Sequence, residues 1–264
     1  MDKFFTCNTG KIHYKDQGKG QVIMLIHGYL ETSEIWSSFA KRLSENFRII
    51  TVDLPGHGKS ENTDEVLTMD CMASILAKLL EDLKIRKLFL TGHSLGGYVT
   101  LAFADLHTDL LSGYCLFHSH PFADDSGKIE KRRMEAGVVE KGKKEWFIPG
   151  NIAKLYATAN LQKFSESLKR STEIALKMPD ETIVAVLKGM ITRPSRVSVM
   201  ESGKVPYLWI LGEMDNLINC GEIQSMVRVP KNAEVIILKN SGHMGFIEEE
   251  DLSLSVLESF VSKL

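Results

Sequence analysis

The segment Gly92-His93-Ser94-Leu95-Gly96-Gly97 sits between an apolar run, Leu88-Phe89-Leu90, and a helical pattern. A G-x-S-x-G element between strand and helix holds its serine on a tight, strained turn, so the hydroxyl stands clear of the sheet. Side chains two residues either side of that serine would collide, which accounts for Gly92 and Gly96. The helix that begins after Ser94 aims free N–H groups at developing negative charge. A serine hydroxyl is a poor nucleophile until a base removes its proton. The expected base is His243, in Ser241-Gly242-His243-Met244, which follows the strand-like run at residues 235–238. The expected carboxylate is Asp215, in Gly212-Glu213-Met214-Asp215 after the run at residues 207–211, where it would fix the imidazole tautomer. Glu213 has a weaker claim to that role. The order Ser94, Asp215, His243 is the one a nucleophile elbow of this kind uses, and the chemistry it points to is acyl transfer to water.

That reaction needs two N–H donors for an oxyanion. The backbone N–H of Leu95, directly after the nucleophile, supplies one. The loop His27-Gly28-Tyr29 supplies the other through the N–H of Tyr29, with Gly28 allowing close approach and His27 read as structural. His93, His118, His120, Trp36 and Met244 are expected to line the pocket, and Tyr98, Trp146 and Phe147 are candidates by position only. His118-Ser119-His120 could present two imidazoles on one strand face to a metal. Only Asp124 and Asp125 lie near in sequence, so no metal is expected, and no organic cofactor is needed. Gly58-Lys59-Ser60 ends like a phosphate-binding loop, but Asp53 stands where that motif requires its first glycine.

The elements that must position these residues are legible as an alternation. Short apolar runs at residues 22–26, 48–52, 87–90, 113–117, 207–211 and 235–238 suit buried strands. Residues 4–7 and 11–14 flank the turn sequence Asn8-Thr9-Gly10 and predict a hairpin. Helices are expected over residues 69–83, 94–107 and 252–261. Strands alternating with helices imply an α/β fold with a doubly wound, mostly parallel sheet. The alternation fails over residues 121–203, which read as helices only and are expected to form an inserted helical lid. Its charged stretch, residues 128–145, interleaves Lys131-Arg132-Arg133 and Lys143-Lys144 with glutamates and reads as a solvated face.

Taken together, His27-Gly28-Tyr29, Asp53-Leu54-Pro55-Gly56-His57-Gly58-Lys59-Ser60, Gly92 to Gly97, Gly212 to Asp215 and Gly242-His243 resemble the α/β-hydrolase superfamily, most of all its lidded esterases and carbon–carbon bond hydrolases. The resemblance covers residues 1–120 and 204–264, which would form the hydrolase core around a 121–203 lid. It implies a serine hydrolase of small carboxylic esters. The same triad also serves carbon–carbon bond hydrolases and lyases, and a small-ligand sensor with little turnover is the alternative from another class.

The composition is that of a globular chain, 44% hydrophobic and 25% charged over 264 residues. A net charge of −2 gives no electrostatic case for nucleic acid or an anionic membrane, while leaving room for a local patch. The first residues lack the apolar run of a signal peptide, and no stretch reaches the roughly 20 apolar residues of a membrane span. Four scattered cysteines without a CxxC pair are expected to be reduced, which points to the cytoplasm. A small-molecule substrate is the expected partner, and no periodic seam demands a dimer over a monomer.

Overall fold

The computed structural model describes residues 2–8 and 10–264. Met1, at the head of the segment read for a leader, and Thr9, in the expected hairpin turn, lie outside the described residues. Eight strands form one sheet: β1 (Asp2–Cys7), β2 (Gly10–Gln17), β3 (Val22–Ile26), β4 (Arg48–Val52), β5 (Leu88–His93), β6 (Leu111–Phe117), β7 (Tyr207–Gly212) and β8 (Ala233–Leu238). Their order is β1-β2-β4-β3-β5-β6-β7-β8. β2 pairs antiparallel with β1 and with β4, and every other pairing is parallel. The register levels the C-terminal ends: Ile26 lies opposite Gly92, His93 opposite Phe117, Phe117 opposite Ile210, and Gly212 opposite Leu238. The loops after β3, β5, β7 and β8 therefore leave the sheet along one edge, where parallel sheets of this kind bind ligands.

The inner parallel strands, β3 to β7, are buried on both faces as their unbroken apolar runs require, and β8 at the edge is only partly buried. With the two-residue period of a strand, Met24, Leu90, Leu116 and Trp209 enter one core, and Leu25, Phe89, Phe117 and Ile210 enter the other. Helix α1 (Ser37–Leu43) covers the second core, and α2 (Met69–Asp82) and α3 (Leu95–Leu106) cover the first. α2 buries Met69, Met72, Ile75, Leu76, Leu79 and Leu80 at the spacing of one helix face, and Thr68 caps it by accepting from the Cys71 N–H.

Between β6 and β7 the chain is helical, with α4 (Ser126–Val139), α5 (Ile148–Ala153), α6 (Ser165–Leu176), α7 (Asp180–Ile191) and α8 (Val197–Ser202). α8 packs against α3 and so covers the sheet, as the crossover between two parallel strands must. The remaining helices follow as α9 (Cys220–Ser225), α10 (Gly245–Glu248) and α11 (Glu250–Val261), the last two returning to the second core. Among the described residues, no helix is long and apolar enough to cross a membrane.

The two ends of the helical stretch between β6 and β7 are stitched together. Arg196 donates its N–H to the Pro121 carbonyl at 2.7 Å, and Arg193 donates from its guanidinium to the Phe122 carbonyl at 3.0 Å. α7 seats on the loop before α2, where the Leu67 N–H donates to the Ala185 carbonyl at 3.0 Å and the Thr182 hydroxyl donates to the Gly56 carbonyl at 3.1 Å. A Cβ at Gly189 would stand 1.8 Å from the Leu67 carbonyl oxygen, so only glycine lets the two backbones meet. Gly189→Ala is expected to destabilise the protein although alanine is the better helix former. Overpacking of a tight contact costs about 1–3 kcal/mol against a helix-propensity gain of about 1 kcal/mol. Thermal denaturation checks this, and a higher Tm in the variant would contradict the packing argument.

Candidate active site

Ser94 follows β5 with φ 50° and ψ −112°, a positive φ that few side chains accept. The glycines around it are required by close approach. A Cβ on Gly92 would lie 2.1 Å from the Gly96 carbonyl oxygen, and one on Gly96 would lie 2.5 Å from the Ile26 carbonyl oxygen. The turn thus packs backbone on backbone, and the serine is carried at the N-terminus of α3.

His243, in the loop after β8, is fully buried apart from its approach to the cavity. Its Nδ1 lies 2.6 Å from Asp215 Oδ2, and Asp215 Oδ1 accepts from the N–H groups of Leu217 and Ile218 at 2.8 and 3.1 Å. The carboxylate so fixes the tautomer with the proton on Nδ1. His243 Nε2 has no partner among the described residues. Burial pushes the Asp215 carboxyl up, but the neighbouring His243, then His118, outweigh it and hold the carboxyl below its usual range. Burial likewise lowers the His243 imidazole, and Asp215 overrides it to raise the ring above its ordinary 6.5. Glu213 is exposed and takes no part.

Ser94, His243, Tyr29 and Leu95 border one cavity of about 210 Å³, which also takes in Tyr98, His120 and side chains from α4, α5 and α7. The N–H groups of Tyr29 and Leu95 donate to nothing else among the described residues. His27 is structural: its Nδ1 donates to the Gly28 carbonyl and its Nε2 accepts from the Leu54 N–H.

The alpha/beta hydrolase fold family matches residues 21–250. The chain belongs to that family. It is 24% identical to the pimeloyl-[acyl-carrier protein] methyl ester esterase of Vibrio vulnificus, over 96% of this chain and 98% of that one. It is 33% identical to an uncharacterized protein of Mycobacterium tuberculosis, over 98% of this chain and 80% of that one. Among solved structures, a thermophilic esterase from Thermogutta terrifontis superposes with a TM-score of 0.93 at 26% identity, covering 100% of this chain and 98% of that one.

Within this alpha/beta hydrolase the expected pocket lining needs correction. His120 lines the cavity, and so does Tyr98. Burial first, and then Arg193, lower the His120 imidazole to about 3, so the ring is neutral. It accepts from the Phe122 N–H and donates to the Tyr98 hydroxyl at 3.2 Å. Trp36 and Met244 do not reach the cavity: both are fully buried in the second core, Trp36 against Phe246 at 4.2 Å between rings. Their loops leave the active edge, but the side chains turn back under it. His93 shares the face of β5 that carries Phe89, by the two-residue period, and is buried away from the cavity. His118 is also buried outside the cavity lining. Its Nε2 accepts from the Gly245 N–H at 3.1 Å, which leaves the proton on Nδ1, 3.7 Å from Asp215 Oδ2. His118 and His120 therefore do not converge on one ion. Trp146 is 75% exposed, with Lys143 over its ring, and Phe147 packs beside the first core.

No motif marks Glu31. Its buried carboxylate accepts from the Gly28 N–H at 2.5 Å and lies 2.9 Å from His93 Nδ1, while His93 Nε2 donates to the His243 carbonyl at 2.9 Å. One buried carboxylate–imidazole contact thus ties the loop of Tyr29 to the loop that carries His243. Burial raises the Glu31 carboxyl, and His93 outweighs it to hold the group below its usual range. Removing the carboxylate leaves the buried Gly28 N–H and His93 Nδ1 without their acceptor, at a cost of about 1–3 kcal/mol each. Glu31→Ala is expected to lose stability on that scale in urea denaturation, and a loss below about 1 kcal/mol would show that the pair contributes no more than an exposed one.

The helical stretch between β6 and β7 also reaches His243. The His243 N–H donates to the Leu155 carbonyl at 2.7 Å, and Asn216 donates from its amide to the Lys154 and Tyr156 carbonyls at 3.1 and 2.9 Å. Glu248, from α10, accepts from the N–H groups of Gly242 and Ala157, both at 2.9 Å. These braces are long-range and leave no spacing signal in the chain.

Proposed function

We propose that this alpha/beta hydrolase is a serine hydrolase of small carboxylic esters, with Ser94 as nucleophile, His243 as base and Asp215 as the group that orients it. The observation that carries the reading is the half-used imidazole: Nδ1 is held by Asp215, and Nε2 is buried without a partner in the cavity that Ser94 borders. Ser94 Oγ attacks the ester carbonyl carbon as His243 Nε2 takes its proton, and the N–H groups of Leu95 and Tyr29 receive the oxyanion. Collapse expels the alcohol, which takes the proton back from His243, and leaves an acyl-Ser94. Water, deprotonated by His243, repeats the attack and releases the acid. Substrate, water and these groups account for every atom transferred.

The helices of residues 121–203 act as a lid in this reading, because α4, α5 and α7 wall the cavity opposite Ser94. α8 is the exception, since it covers the sheet. Free thiols at Cys71, Cys115 and Cys220 favour a reducing compartment such as the cytoplasm. A fluorophosphonate probe tests the nucleophile directly. The expected result is a single adduct on Ser94, located by mass spectrometry, together with turnover of a panel of short esters. A folded protein that takes no label, or that turns over vinylogous diketones in preference to esters, would overturn the ester reading.

A further inference from the structure

The cavity wall facing Ser94 is cationic, in a chain whose net charge is −2. Lys128, Lys131, Arg132 and Glu135 stand at i, i+3, i+4 and i+7 on α4, one face of the helix, and all four line the cavity. Lys154, which caps α5, joins them. The stretch read from sequence as a solvated face is exposed at Lys128 and Lys131, and these same side chains border the cavity.

Two members of this wall are already committed. Arg132 donates to both carboxylate oxygens of Asp124 at 2.5 and 3.3 Å, and Asp124 also receives Arg193 at 2.9 Å, so two guanidinium groups share one carboxylate. Glu135 Oε1 accepts from the Tyr29 hydroxyl at 3.4 Å and from the Asn151 amide at 3.1 Å. Burial lifts its carboxyl above the usual range against the pull of Arg132 and Lys131, which weakens it as a counter-charge. The ammonium groups of Lys128, Lys131 and Lys154 make no ion pair among the described residues. The other side of the cavity is apolar, with Leu30, Leu155, Leu217 and Ile218. Lys128, Lys131 and Lys154 line the cavity while staying exposed to solvent, and a neutral ester would make no use of their charge.

We propose that the preferred substrates are esters bearing a second, ionised acid group, held by Lys128, Lys131 and Lys154 while the apolar wall takes the chain between that group and the scissile carbonyl. The proposal rests on the esterase reading, and its test separates the two. Monoethyl adipate and ethyl hexanoate differ by a terminal carboxylate in place of a methyl group, and titration of released acid follows both. The expected kcat/KM favours the half-ester by about tenfold or more at low salt, the scale of one partly screened ion pair. The advantage resides mainly in KM and shrinks as added salt screens the charges. In the variant Lys128→Gln/Lys131→Gln/Lys154→Gln, the ratio of the two kcat/KM values falls toward one. Adipate, which has no ester, reads the site without turnover: it raises the Tm of the wild-type protein and not of the triple variant. A ratio near or below one in the wild type, or a ratio the triple variant leaves unchanged, would overturn the anionic preference while Ser94 still takes the fluorophosphonate. Failure of that labelling with no turnover of either ester would instead sink the esterase reading.

Discussion

Ser94→Ala is expected to fold as the parent does and to lose ester turnover by a factor of about 10⁴–10⁶, the range seen when a serine nucleophile is removed from an assembled triad. The stability half of this expectation is as specific as the kinetic half. The Ser94 hydroxyl makes no hydrogen bond among the described residues, and the positive φ strains alanine as it does serine. The substitution should therefore change stability by no more than about 0.5 kcal/mol. Initial rates on a short-chain ester, beside a thermal melt, check both parts. Turnover at the parental rate would remove Ser94 from the mechanism, and unfolding would show that the elbow depends on the hydroxyl.

Asp215→Asn is expected to lower kcat by about 10⁴ through the wrong tautomer. An asparagine amide facing His243 Nδ1 presents a donor where the carboxylate presents an acceptor, so the ring keeps its proton on Nε2 and loses the lone pair that Ser94 needs. The pH profile carries a second signature. In the parent, Asp215 holds His243 above its ordinary 6.5, and only the neutral ring is a base. Activity should therefore rise with pH through a value above 6.5. Removing the carboxylate charge destabilises the imidazolium, so the residual activity of the variant should rise at lower pH than in the parent. An acid limb that stays in place would assign it to another group.

Residues placed at strand ends were legible in the sequence. Gly92, Ser94 and Gly96 announce a turn whose geometry admits little else, and Asp215 and His243 each follow a strand-like run whose end the sheet register brings level with β5. Direction was less legible than position. Trp36, Met244, His93 and His118 neighbour motif residues in sequence, yet strand period and core packing turn them away from the cavity. The three lysines were hidden in the opposite way. Glutamates interleaved with them suggested a solvated helix, and only the docking of α4 shows which face borders the cavity. That docking depends on contacts such as Gly189 against Leu67, between residues far apart in the chain, for which a single sequence carries no local sign. Glu31 escaped notice for a related reason: its partner His93 lies 62 positions away.

The hydrogen bond from the His243 N–H to the Leu155 carbonyl, with the Asn216 and Glu248 contacts beside it, bears on how such an enzyme can diversify. A helical segment grafted between β6 and β7 to borrow another protein's selectivity would also have to reproduce the short stretch around residues 154–157, because the backbone of His243 hangs from it. Recombination that cuts at β6 and β7 would carry both halves of that support only if the transplanted segment kept its carbonyls in register. On the proposed reading, variation confined to the cavity-lining face of α4 would change what the cavity attracts without touching the support of His243, so specificity could drift while the site is inherited intact.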